Sequence, residues 1–323
     1  MKAKGKLIFG LLLSSIAILW IIWKVDFREV VETIKHINFF FFIFAGIIYL
    51  IGFLPRGLRW QLMLSTITKV SVYDSTETVV LGYAANNLLP FRLGEVVRAY
   101  VMGNRNNVSK VTCLGSIATE RIFDGVVIVS LFGLSILYLE GEIHEMTVLN
   151  QIFFAGGVIF LLSIFSLFIF VKFSEIVLRL WKKTFGSFGQ DFLVKVLKSL
   201  EFFHNKGLLL KVLILSIIIW LIEGSMFVLI LWVMGLENPV IMGYFCLGVV
   251  NLSILLPSVP GYFGVFQAAS VFAFLTLGYS KSTGLAYGLI IHLAQYIPIT
   301  LAGVVVFFKF GYKFNDFYKT IKY

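Results

Sequence analysis

Apolar runs too long for the core of a soluble domain recur from one end of this chain to the other, and they decide what it can become. A hydrocarbon core about 30 Å thick takes roughly 20 apolar residues of helix to cross, with a lower limit near 17. Segments 7–23, 38–55, 112–139, 150–171, 208–234 and 283–308 reach that length with few charges. In lipid every backbone N–H and C=O must be satisfied, so such runs are helices. The alternating apolar and polar strands of an outer-membrane barrel are absent from the sequence. The rest of the composition agrees: 59% of the 323 residues are hydrophobic, 14% are charged, and the mean hydropathy is +0.95. The expected fold class is an all-α polytopic membrane protein.

Two further apolar segments, 75–104 and 240–276, are interrupted by Pro and Gly. The cations decide whether they cross, because Lys and Arg gather in cytoplasmic loops. Residues 1–6 hold three, 24–38 three, 55–111 seven, 172–211 eight, 235–282 one and 309–323 four, whereas the loop around Glu140, Glu142 and Glu145 holds none. If both broken segments return to the side they entered from, 22 cations fall inside and four outside, with Arg121 within a span. Had 75–104 crossed, the acidic loop would face the cytoplasm and the loop of eight cations would face out. The expectation is about six full spans plus two re-entrant helical hairpins, with both termini cytoplasmic. The basic N-terminus runs into an apolar stretch to Trp23 without a small-residue cleavage site, so it reads as an uncleaved first span.

The order span, span, hairpin, span then occurs twice, with the hairpins entering from opposite faces. Their tips, LGYAANNLLPFRLG (81–94) and LGVVNLSILLPSVPGYFG (247–264), share Leu-Gly, Asn and Leu-Leu-Pro in order. An inverted-topology repeat follows, repeat 1 about 1–145 and repeat 2 about 146–323 within a single domain, which is a transporter arrangement. In the stretch 173–206, Leu193, Val196, Leu197, Leu200 and Phe203 fall at helical spacing opposite Lys195, Lys198 and Glu201. That describes an amphipathic helix, either lying in the interface or packed beneath the bundle.

The net charge of +10 fits cytoplasmic loops over anionic lipid, and no recognition motif supports nucleic acid. Cys113, Cys246 and the four histidines are scattered, so no disulfide, metal site or cofactor is expected.

The polar residues inside apolar sequence carry the function. Asp74 and Glu77 suggest a helix start, Pro90 a stop, and a second short helix from near Leu93 to near Gly103. Backbone N–H groups and a positive helix end at such a tip suit an anionic head group. Arg92 and Arg98 offer phosphate contacts, with Glu95 between them and Asn87 beside them. The alternative for the same three charges is a structural ion-pair ladder, or contact with interfacial lipid. Arg56 and Arg59, closing the second span, are further head-group candidates or cations snorkelling to the cytoplasmic surface. Glu120, Arg121, Asp124 and Glu223 form an expected intramembrane charge network, because unpaired charges at depth cost several kcal/mol. Asn251, Pro257, Pro260, Gly261, Gly264 and Gln267 of the second hairpin complete the cavity, and His292 with Gln295 reads as a hydrogen-bonded core pair.

With RGLRW (56–60), NxLLPxRxGExxR (87–98), ERxxD (120–124) and PSVPGYFGVF (257–266) in this order, the chain resembles the lysylphosphatidylglycerol synthase transmembrane (flippase-like) family over essentially its whole length. Family members commonly carry an acidic residue where Gln267 stands. The resemblance implies translocation of an anionic or aminoacylated phospholipid, or a polyprenyl-linked lipid, across a cytoplasmic membrane. A separately encoded lipid-modifying enzyme is the implied protein partner. The other readings are a phosphatidylglycerol lysyltransferase-type enzyme, with Glu120 and Asp124 as acid and base, and a membrane anchor for a soluble enzyme. The stretch after Lys309 is too short for the soluble transferase domain that such relatives carry.

Overall fold

The computed structural model describes residues 2–139, 146–256 and 258–311. The acidic loop 140–145, Pro257 and the basic stretch after residue 311 lie outside them. Among the described residues the regular structure is helical, with no strand. In chain order the helices are α1 (Lys2–Lys24), α2 (Phe27–Lys35), α3 (Phe39–Ile51), α4 (Phe53–Leu64), α5 (Val72–Leu88), α6 (Gly94–Asn106) and α7 (Lys110–Tyr138). They continue as α8 (Met146–Lys172), α9 (Ser174–Phe185), α10 (Gln190–Lys198), α11 (Lys206–Val233), α12 (Pro239–Ser253), α13 (Val265–Thr276) and α14 (Lys281–Lys309).

Among the described residues, five stretches are long and apolar enough to cross a membrane: Phe39–Leu64, Lys110–Tyr138, Leu149–Lys172, Lys206–Val233 and Lys281–Lys309. The sixth expected span, 7–23, falls in α1, whose stretch Ser14–Lys24 ranks with the shorter apolar helices. The second span does not stop at residue 55 but runs through a joint at Gly52 to Leu64. Pro55 has no N–H to give at that joint. Beside it, the Arg56 Nη1 donates to the Gly52 carbonyl at 3.0 Å.

Both Pro/Gly-interrupted segments are helix–turn–helix units. In the first, the Ser71 hydroxyl accepts the Asp74 N–H at 2.9 Å, so the cap is Ser71 rather than the expected Asp74. α5 ends before Pro90, a 3-10 turn covers Pro90–Arg92, and α6 follows. In the second, α12 and α13 flank a 3-10 turn at Pro260–Tyr262, and Gly261 (φ 72°) within it and Gly264 (φ 85°) at the start of α13 take positive φ, which only glycine adopts freely. Each arm holds 12 to 17 residues, roughly 18 to 26 Å of helix, and falls short of the hydrocarbon core.

Packing brings the two units together. α5 and α6 approach so closely that a Cβ on Gly82 would sit 3.0 Å from the Gly94 carbonyl oxygen. α14 lies against α3, α5 and α13, and α11 lies against α3, α4 and α12. The 3-10 turns of the two units touch each other. A continuous core including Trp60, Phe132, Phe227, Phe245, Phe274 and Tyr287 fills the space between these helices. α8 packs on α7 and α9 alone among its larger contacts and is exposed along its apolar length.

The stretch 173–206 resolves the two expected arrangements in part. α9 buries nothing, as an interfacial helix would. α10 instead packs beneath the bundle: the Thr112 hydroxyl donates to the Lys195 carbonyl at 3.0 Å, and Leu193, Leu200 and Phe202 are buried.

Candidate functional site

Five arginines and four carboxylates converge where α4, α6, α7 and α11 meet the first helix break. Six of these groups form one alternating chain of charge. Glu95 meets Nε of Arg121 at 3.1 Å, and Arg121 meets Asp124 at 3.4 Å. Asp124 accepts from Arg59 at 2.6 Å, Arg59 lies 3.7 Å from Glu120, and Glu120 accepts from Arg98 at 2.9 Å. Arg59, Arg98, Glu120 and Asp124 are all at most 3% exposed, so each charge depends on its neighbours for the solvation it lost. The Asp124 carboxylate also accepts the Trp220 indole N–H at 3.0 Å, and Arg59 donates to the Ser216 hydroxyl at 2.9 Å. The Arg98 guanidinium lies over the Trp60 ring, 4.3 Å from its centroid. The helical spacing explains the ordering: positions 120, 121 and 124 share one turn of α7 and present carboxylates to two different arginine-bearing helices.

A second pair stands apart. Arg56 is bound to Glu223 of α11, and its guanidinium is ringed by Phe53, Tyr83 and Trp220. The other Glu223 oxygen accepts from Gln295 at 3.3 Å.

In front of this network lies a cavity of about 110 Å³, enclosed by both helix breaks and α14. Arg92, Glu95, Arg121 and Glu223 line it, with Asn86, Asn87, Asn251 and Gln295, and with Tyr49, Tyr83, Tyr262 and Tyr296. Arg92 joins the two helix breaks. Its Nη2 donates to the Ile254 carbonyl at 2.5 Å, and its guanidinium lies 5.6 Å from the Tyr262 ring centroid. Its own backbone is left-handed (φ 55°), a rare conformation for a residue with a side chain. A larger cleft of about 300 Å³ opens between α8, α9 and α10, with mainly apolar walls, and shares no residue with the charge network.

These positions revise several expectations. Arg92, Glu95 and Arg98 do not form a ladder; they turn to Ile254, Arg121 and Glu120, because each finds its partner on another helix. Arg56 and Arg59 do not snorkel to a surface: the longer second span carries them inward, where they are 2% and 1% exposed. With Arg98 they stand behind the cavity wall, not on it. The first helix break is not an open N-terminus, since the Gly94 N–H is taken by the Asn86 side chain at 2.8 Å. Asn87 reaches Thr300 at 2.9 Å and the Tyr296 carbonyl at 3.3 Å, tying the break to α14. His292 and Gln295 are not a pair: His292 meets Gln267 at 2.8 Å while Gln295 serves Glu223. Gln267 also accepts the Gly264 N–H at 2.8 Å and so braces the second break. Pro260 opens that turn and Asn251 lines the cavity.

The chain matches the family described as the lysylphosphatidylglycerol synthase TM region over residues 7–303. It belongs to that family. Among curated proteins it is similar to a protein named glycosyltransferase AglD from Haloferax volcanii, 23% identical over 92% of this chain and 53% of that protein. It thus spans about half the length of this relative. It is also similar to UPF0104 membrane protein MJ1078 from Methanocaldococcus jannaschii, 26% identical over 69% of this chain and 92% of that one. No solved structure matches. In this member of the synthase TM family, Asn86, Tyr83, Trp220 and Tyr262 line the cavity and Ser216 accepts from Arg59, and the motifs marked none of them. The aromatic residues gave no signal, because rings at helical spacing read as core. Asn86 had one, since it adjoins Asn87 in an apolar run.

Proposed function

We propose that this protein translocates a phosphate-bearing lipid across a cytoplasmic membrane, with the cavity between the two helix breaks receiving the head group. The observation that carries this reading is Arg92, a cation on the cavity wall where the two helix-turn-helix units meet. Arms too short to cross, joined by turns that touch, support two re-entrant hairpins entering from opposite faces. Polar backbone at membrane depth is tolerated only against protein or a wet cavity, and both breaks adjoin one. The repeated order of long helix, broken pair and long helix (α3–α4, α5–α6, α7; α11, α12–α13, α14) supports the inverted repeat. At about 110 Å³ the cavity holds several waters, well under the roughly 300 Å³ of a small-molecule site, so the described state is a closed one. A head group enters when the hairpin tips part, while the acyl or isoprenyl chains stay in lipid.

An intramembrane transferase finds less support. Glu120 and Asp124, its expected acid and base, are held between arginines and do not reach the cavity wall.

The test is reconstitution in liposomes carrying a head-group-labelled anionic phospholipid, with a membrane-impermeant quencher added outside. Wild type is expected to expose inner-leaflet label, and Arg92→Ala to slow that exposure at least tenfold. Quenching no faster than in empty liposomes, across several head groups, overturns passive translocation.

A further inference from the structure

We infer that the head group this cavity selects carries a single negative charge and neutral hydroxyls, and no amine. The inference rests on the head-group reading above and narrows it. The alternating chain from Glu95 to Arg98 contains three carboxylates and three guanidiniums, and Arg56 with Glu223 adds one of each. Both sets are neutral. Arg92 is left over: among the described residues no carboxylate lies within ion-pair distance of it, and its partner is the carbonyl of Ile254. Ile254 caps the C-terminal end of α12, where unpaired carbonyls carry roughly half an elementary negative charge. That partial charge holds Arg92 in the closed state without neutralising it. A phosphodiester brings a whole charge and a bidentate fit, so it displaces the carbonyl and releases the clasp between the two breaks.

The same count excludes an ammonium head group. Both carboxylates on the wall are already engaged, Glu95 by Arg121 and Glu223 by Arg56, so an amine would enter without a counter-charge. What remains for the rest of the head group is neutral: the spare amide atoms of Asn86, Asn251 and Gln295, whose other ends serve Gly94, Leu247 and Glu223, and the phenols of Tyr83 and Tyr262, all suited to hydroxyls. A monoanionic phosphodiester with a hydroxylated head group occurs both in glycerophospholipids and in polyprenyl phosphosugars.

Binding measured apart from transport tests this. The purified full chain in non-ionic detergent is titrated, with native mass spectrometry as the readout, with four short-chain probes: phosphatidylglycerol, phosphatidylethanolamine, phosphatidic acid and an isoprenyl phosphoglucose. One monoanionic, hydroxylated probe is expected to bind about tenfold or more tighter than phosphatidylethanolamine, in line with a charged hydrogen bond gained. Whether that probe is the glycerolipid or the isoprenyl sugar identifies the source, and either supports the charge rule. Arg92→Gln is expected to abolish the preference and Arg92→Lys to keep its sign. Glu95→Gln, which leaves the network one carboxylate short and Arg121 at the wall held by Asp124 alone among carboxylates, is expected to shift preference toward phosphatidic acid. If wild type binds phosphatidylethanolamine as tightly as phosphatidylglycerol, the charge rule is overturned and the head-group site stands. If it binds none of the four, the head-group reading itself fails.

Discussion

Replacing Asp124 with alanine removes the residue on which the charge network turns. Its carboxylate accepts two bonds from Arg59, at 2.6 and 3.3 Å, one from Trp220 at 3.0 Å and one from Arg121 at 3.4 Å. Breaking a buried ion pair from one side costs about 3–5 kcal/mol, because the remaining charge has neither water nor partner. Here Arg59 keeps the Ser216 hydroxyl and a distant Glu120, which moves the expectation to the lower end, about 3 kcal/mol. The Trp220 N–H left without an acceptor adds about 1 kcal/mol. The loss is electrostatic in origin, so removing both partners should largely reverse it. Arg59→Met with Asp124→Leu is expected to return within about 1 kcal/mol of wild type, since Glu120 retains Arg98. Reversible unfolding in mixed micelles of rising dodecyl sulfate fraction, followed by helical circular dichroism, reads both. A cost below about 1 kcal/mol for the single change, or a double variant as unstable as the single one, would refute the reasoning.

Arg98→Ala and Arg92→Ala should separate scaffold from site: the first leaves the 1%-exposed Glu120 with only the 3.7 Å contact of Arg59 and is expected to cost about 3 kcal/mol, the second to leave unfolding within about 1 kcal/mol of wild type while weakening lipid binding. Gly94→Ala would push a methyl group into the Gly82 carbonyl, which is backbone and cannot swing aside. Separation of α5 from α6 and a loss of about 2 kcal/mol or more are expected in the same unfolding assay. Cys113 and Cys246 are fully buried, so the native protein should resist maleimide and report single introduced cysteines cleanly. Ser187→Cys is expected to label only from the cytoplasmic side and Glu237→Cys only from the outside, and the reverse pattern would invert the topology. The ion pair of Arg105 with Asp74 at 3.0 Å is more than 30% exposed on both sides, and Asp74→Asn should change stability by less than about 0.5 kcal/mol.

The helix breaks were legible because their cause is local. Pro90 cannot continue α5 and Gly261 and Gly264 adopt backbone that other residues resist, whatever surrounds them. The second span was read nine residues short for the opposite reason. Hydropathy falls at Pro55-Arg56-Gly57-Leu58-Arg59, and nothing local says that carboxylates on α7 and α11 will receive those arginines. Positions 120, 121 and 124 pointed to a network through the cost of burying charge, yet not to its wiring. Arg92, Glu95 and Arg98 sit three apart on the chain and look like one ladder, but their partners are 162, 26 and 22 residues away.

By itself, then, the sequence determined the helical membrane class, the two interruptions and the presence of charges that must be paired. Each follows from terms settled within a few residues: apolar length, the missing proline N–H and the price of desolvating a charge. Only the tertiary structure decided which charges cancel and which one is left on the cavity wall. That outcome depends on which helices α7 and α11 touch, and pairing at 2.6 to 3.7 Å is a property of packing that no single helix contains.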